Sequence, residues 1–126
     1  MHALRNIHVA LAPDGVLVDT QPVSARPPVA SNGGELGTLD MRDWLATIHA
    51  VDELVAQTIA GGLYELQHES RFVVTDAYDN GPECLDTVGN WSGKRVPSEV
   101  TRRLAAATSP VTVEQEVRLR LLRRAI

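Results

Sequence analysis

The sequence holds a single cysteine, Cys84, so it can form no internal disulfide and offers no Cys-x-x-Cys pair for zinc or thiol exchange. Stability must come from packing. No apolar run approaches the roughly 18 residues that a helical membrane span needs. The opening residues MHALRNIH also lack the basic segment and apolar core of a secretory signal. These absences predict a cytoplasmic protein with no membrane contact. Positive charge is not in excess either: the net charge of −4 argues against general nucleic-acid binding, because neutralising phosphates requires a basic surface. The local exception is Arg118, Arg120, Arg123 and Arg124 near the C-terminus, which read as a solvated strand face and a frayed end.

What is present is ordinary for a globular chain: 126 residues, 44% of them hydrophobic and 22% charged. That length fits one domain over residues 1–126 and buries about two thirds of the unfolded surface. Leu4, Ile7 and Leu11 recur at helical spacing before the Pro13-Asp14-Gly15 turn. Residues 16–21, VLVDTQ, predict a strand covered by helices on both faces. Residues 23–34 carry Pro27, Pro28, Asn32, Gly33 and Gly34 and predict a loop, with a short strand over 35–39. Asp40 is placed to cap a long helix whose stripe is Met41, Trp44, Leu45, Ile48, Val51, Val55 and Ile59, ending at Gly61-Gly62.

From residue 63 the period becomes two, with Tyr64, Leu66, His68, Ser70, Phe72 and Val74 on one face, which predicts a half-buried strand over 63–75. Pro82 then opens a short helix presenting Leu85 and Val88, and a second runs from Pro97 or Ser98 to Ala107. Alternation from Val111 to Leu121 closes the chain on a strand. The fold class is α/β, or α+β by content: a small mixed sheet with one long amphipathic helix and short helices packed on it.

Residues His8 to Pro22, HVALAPDGVLVDTQP, resemble a passage of class I S-adenosylmethionine-dependent methyltransferases, in which a helix and a Leu-x-Pro-Gly-Gly-like turn lead into the fifth strand. Leu11 to Gly15 stand at that turn. The resemblance implies that residues 16–21 are the fifth strand, 63–75 the sixth and 111–122 an antiparallel seventh. It also implies a missing front half, where the family's Gly-rich cofactor turn and ribose-holding acid lie. Asn32 to Gly37, the local glycine cluster, neither follows a predicted strand nor opens a helix, and so reads as a turn and not as a nucleotide loop. No cofactor is therefore expected for the lone chain, and S-adenosylmethionine only with a partner. The half-sheet implies an unpaired edge at 16–21, to be covered by a second copy in a homodimer or by a separately encoded partner.

In open α/β sheets ligands bind beyond the carboxyl ends of parallel strands. If strands 16–21 and 63–75 are parallel, that edge presents Asp19 and Gln21 from one and Asp76, Tyr78, Asp79 and Asn80 from the other. Each also has a plain structural role: a hydrogen-bonded strand end for Asp19, turn formation for Asp79 and Asn80. His68 is either a buried neutral histidine or a general base. Asp76 to Gly81 begins like a calcium loop but puts Tyr78 third and Thr87 twelfth, so no metal is expected. His2 and His8 lack ligand spacing, and Cys84 lacks an activating partner. Whether the chain is an enzyme stays open. Three readings compete: a methyltransferase-like assembly module, a small enzyme using Asp19, Asp76 or Asp79 with His68, and a purely structural interaction module.

Overall fold

The computed structural model describes residues 2–125, apart from the side chain of His2. Helix and strand make up 36% and 38%. The elements are α1 (His2–Ala10), β1 (Val16–Pro22), β2 (Pro28–Ser31), β3 (Gly34–Thr38), α2 (Arg42–Ala60), β4 (Tyr64–Tyr78), α3 (Gly81–Val88), α4 (Ser98–Ala106) and β5 (Val111–Arg124). One sheet has the order β1-β5-β2-β3, with β4 also on β5. β5 runs antiparallel to β1 and to β2. The sheet is antiparallel where a mixed one was expected, because β5 separates the strands that were to be parallel neighbours.

The chain divides into two compact units: residues 1–22, 47–72 and 117–126 form one, and residues 23–46 and 73–116 the other. In the first unit Val55, Tyr64 and Leu122 form the buried core, with Leu4, Leu11, Leu17, Val51, Ile59 and Leu63 packed around it. Tyr64 is almost fully buried and its hydroxyl donates to the Leu4 carbonyl at 2.7 Å, which satisfies the one polar atom a buried phenol carries. The Pro13-Asp14-Gly15 turn sets Asp14 at φ 62°, a conformation aspartate tolerates. Helix α2 ends as its glycines predict: the Gly62 N–H donates to Ile59, the Leu63 N–H donates to Thr58, and Gly62 has φ 79°. This is the Schellman pattern, which satisfies carbonyls the helix end would otherwise leave bare.

Asp40 does not occupy the cap position itself. The first helical bond runs from Leu45 to the Met41 carbonyl, so Met41 is the cap, while the Asp40 carboxylate accepts from the Arg42 N–H at 3.1 Å. Hydrogen bonds from Arg42 hold the Asp40 carboxyl well below the usual carboxylate range.

In the second unit the core is Val29, Leu39, Cys84, Val88, Val100, Leu104, Val111 and Val113. Part of the expected 23–34 loop is strand β2. Asn32 and Gly33, at φ 53° and 75°, form the two-residue turn joining β2 to β3. An Asn-Gly pair with both φ positive matches the strand twist of a tight hairpin, and Pro28 stands at the first strand position, where its missing N–H is tolerated. Asn80 caps α3 by accepting from the Glu83 N–H at 2.9 Å, and Glu83 in turn accepts from the Asp79 N–H at 2.8 Å. Replacing Asn80 with alanine is expected to lower stability by about 1 kcal/mol, read as a drop in the urea midpoint with an unchanged slope.

Two burial expectations are corrected. Strand β1 is covered on one face only, since Val16 and Val18 are 49% and 57% exposed. In β4 only Tyr64 is buried, while Leu66, His68 and Phe72 are exposed. A period of two identifies which residues share a face. Whether another element covers that face depends on where the helices lie.

Candidate functional site

Strand pairing in the first unit sets Leu17 opposite Leu122, Asp19 opposite Arg120 and Gln21 opposite Arg118. Residues two apart on a strand share a face, so Asp19, Gln21, Arg118 and Arg120 lie on the face that carries buried Leu122. Asp52 of α2 meets them there. Arg118 donates to both Asp52 oxygens, Nη1 at 2.9 Å and Nη2 at 2.8 Å. Arg120 donates to Asp19 Oδ2 from Nε at 3.1 Å and Nη2 at 2.8 Å, and its Nη2 also lies 3.1 Å from Asp52. Gln21 donates to Asp19 Oδ1 at 3.1 Å. Both arginines are buried, at 7% exposure each.

This quartet is neutral as a whole, two carboxylates against two guanidiniums, and the fork of Arg118 fits the carboxylate of Asp52 in the bidentate geometry that makes such pairs strong. The hydrogen bonds from Arg118 hold the Asp52 carboxyl below its ordinary value, and Asp52 in turn raises Arg118. Arg118 Nε is buried without a partner. The C-terminal arginines expected on a solvated face are therefore, for Arg118 and Arg120, structural ions. Chemically the arrangement holds charge in place: both Asp19 oxygens and both Asp52 oxygens accept hydrogen bonds from within the cluster.

The remaining candidates fall elsewhere. Asp76, Tyr78 and Asp79 belong to the second unit and Asp19, Gln21 and His68 to the first. Asp76 accepts a long bond from Gln115 Nε2 at 3.4 Å. Tyr78 packs against the core of its unit, and burial, then the neighbouring Asp76, pushes its hydroxyl up to about 12. Asp79 and Asn80 serve the start of α3. His68, expected on a buried face, is exposed on β4. Cys84 is fully buried, and burial pushes its thiol up to about 11, so it stays protonated near neutral pH.

Sequence reading missed Asp52 and misjudged Arg118 and Arg120. The signal was there: Asp52 sits three or four residues from Ile48 and Val55, on the apolar stripe itself, and Arg118 and Arg120 alternate in phase with Leu122. Charges in phase with a buried stripe on two elements predict each other as partners.

Other features carry less. In the first unit a cleft of about 400 Å³ is lined by Arg5, His8, Val9, Gln57, Thr58 and Leu63. His8 is buried edge-on against the Tyr64 ring at 5.4 Å. Among the described residues no group of three or more His, Cys, Asp or Glu is placed to hold a metal, and no helix is long and apolar enough to cross a membrane. No protein-family profile matches the chain, and no curated protein sequence matches it.

Proposed function

We propose that the chain is a methyltransferase-like assembly module: it works as a homo-oligomer in the cytoplasm, has no grip on a methyl donor of its own, and would engage S-adenosylmethionine only with a partner chain. The observation that carries this reading is the outer margin of β4. Among the described residues β4 pairs only with β5, and Leu66 and Phe72 on it are exposed. A long, partly apolar edge strand is a template for another chain, and folded proteins cover such edges. β1 likewise ends the sheet on its own side. Strand β5, antiparallel to the strands beside it, has the direction that the resemblance implies for a seventh strand.

The competing enzyme reading draws no support from Asp19, whose oxygens are committed to Gln21 and Arg120. Sedimentation equilibrium over the micromolar range, paired with thermal melts, tests the proposal. Self-association is expected, with no change in melting temperature on adding S-adenosylmethionine to the lone chain. A monomer at every concentration would refute assembly. A rise in melting temperature with the methyl donor would show a cofactor site in the chain itself, since a ligand that prefers the native state must stabilise it.

A further inference from the structure

Within β4, residues 64–72 read Tyr-Glu-Leu-Gln-His-Glu-Ser-Arg-Phe, a segment that complements itself when turned end for end. Placed antiparallel to a second copy about His68, it sets Glu65 against Arg71 twice, Gln67 against Glu69 twice and Tyr64 against Phe72 twice. We propose that this chain dimerises by pairing β4 with β4 of a second copy in that register, joining the two sheets edge to edge. The proposal rests on the assembly reading above and adds the surface, the occupant and the alignment.

Three observations converge. First, the backbone is presented correctly. The Leu63 carbonyl accepts from Ala125 at 3.0 Å on the side of β5, so strand alternation turns the backbone groups of Leu66, His68, Ser70 and Phe72 away from β5. Outward groups can pair only with outward groups, which restricts self-pairing to registers differing by two residues. The register about His68 is one of these.

Second, charge selects among them. Opposite charges directly across a strand pair stabilise and like charges destabilise. With the centre on Gln67, Glu65 faces Glu69. With the centre on Glu69, that glutamate faces its own copy. The alignment between these two replaces both clashes with the pair of Glu65–Arg71 contacts. Glu65, Gln67, Glu69 and Arg71 are all exposed, and Glu65 already lies 2.6 Å from Arg123, so Arg71 of the second copy would be a further cation beside a partly neutralised carboxylate.

Third, the apolar side chains fit on the other face. Leu66 and Phe72 are 46% and 43% exposed. In this alignment Leu66 faces the small Ser70 of the second copy and is flanked diagonally by its Phe72, within reach of an aromatic ring. Burying Leu66 and Phe72 from both chains supplies the hydrophobic part of the association.

Complementary charge reversal tests this without disturbing a core. Arg71→Glu places two glutamates across each cross-strand pair, and Glu65→Arg places two arginines there, so each variant alone should dimerise at least about tenfold more weakly than the natural chain, an effect of two like-charge pairs. Mixed together, the two variants should recover a heterodimer, because the unchanged Glu65 of one chain then faces the unchanged Arg71 of the other and the two substituted positions face each other with their charges exchanged. The charge-swapped double variant, Glu65→Arg with Arg71→Glu, is the second rescue, and it should dimerise about as well as the natural chain. His68→Cys should form an intermolecular disulfide readily under mild oxidation, since directly opposed strand residues lie within disulfide reach, while Ser70→Cys should not. If the natural chain dimerises but the double variant restores nothing and the cysteine at position 68 does not link, this register is wrong and another surface makes the dimer. If the natural chain is monomeric throughout, the assembly reading falls as well.

Discussion

Gly81→Ala is expected to destabilise the protein by about 3 kcal/mol, one of the two largest single-residue effects the structure predicts. A Cβ at this position would lie 1.7 Å from the Leu104 carbonyl oxygen and 2.6 Å from its carbonyl carbon. Those are backbone atoms of α4 and cannot rotate away. The two short helices approach this closely because Gly81 opens α3 with nothing beyond Cα, and its N–H donates to the Ala107 carbonyl at 2.9 Å. An added methyl must therefore push α4 outward, loosening Val100 and Leu104, both in the core of that unit. Chemical denaturation measures the effect. Gly34→Ala is the control, because the nearest atom to its Cβ would be 3.7 Å away and the change should stay within about 0.5 kcal/mol. Equal losses at the two sites would mean that the contact with Leu104 does not set the cost.

Removing Asp52 should cost about as much, for an electrostatic reason. Asp52→Ala leaves the Arg118 guanidinium buried with both of its carboxylate bonds gone, and breaking a buried pair from one side costs roughly 3 kcal/mol or more because the surviving charge is uncompensated. Asp52→Asn keeps an acceptor and should lose less, on the order of 1–2 kcal/mol. The decisive comparison is Asp52→Leu combined with Arg118→Met. If the single-variant loss reflects a stranded charge, replacing both partners with apolar side chains should recover most of it. If the double variant is worse than the single one, packing by the long arginine stem is what matters.

The same pair gives a pH dependence with a definite sign. The Asp52 carboxyl titrates below its ordinary 3.8 in the folded protein, so the folded state holds this proton less readily than the unfolded chain. Its contribution is fully present above the unfolded value and is lost as pH falls from about 4 through the depressed folded value. Asp52→Asn should flatten the acid limb of the stability curve over that window. An unchanged limb would show that other carboxylates govern acid unfolding.

Much of the secondary structure was legible because local chemistry dictates it. The stripe from Met41 to Ile59, the paired glycines ending α2 and the alternation of β5 each follow from side-chain spacing or from one residue's backbone preference. The β2–β3 hairpin is hidden in the sequence because the prolines and glycines around 27–34 together have the composition of a loop, although Asn32-Gly33 marks a two-residue turn. At the candidate site the failure was of another kind. Asp19 and Gln21 were identified, but their partners Arg118 and Arg120 lie about a hundred residues away, and Asp52 comes from a third element. Joining Asp19 to Asp76 required their strands to be neighbours, and β5 lies between the strands that carry them.

By itself the sequence determined the α/β character, the placement of the long helix and the final strand, and the self-complementary run in β4, since these depend on order and spacing along one chain. Tertiary structure decided which charges are buried in ion pairs and which apolar residues stay exposed. Alternation puts Arg118 with Leu122, and Leu66 with Phe72, on common faces; only the packing of α2, through Asp52 and Val55, makes the first pair interior, while the second stays exposed.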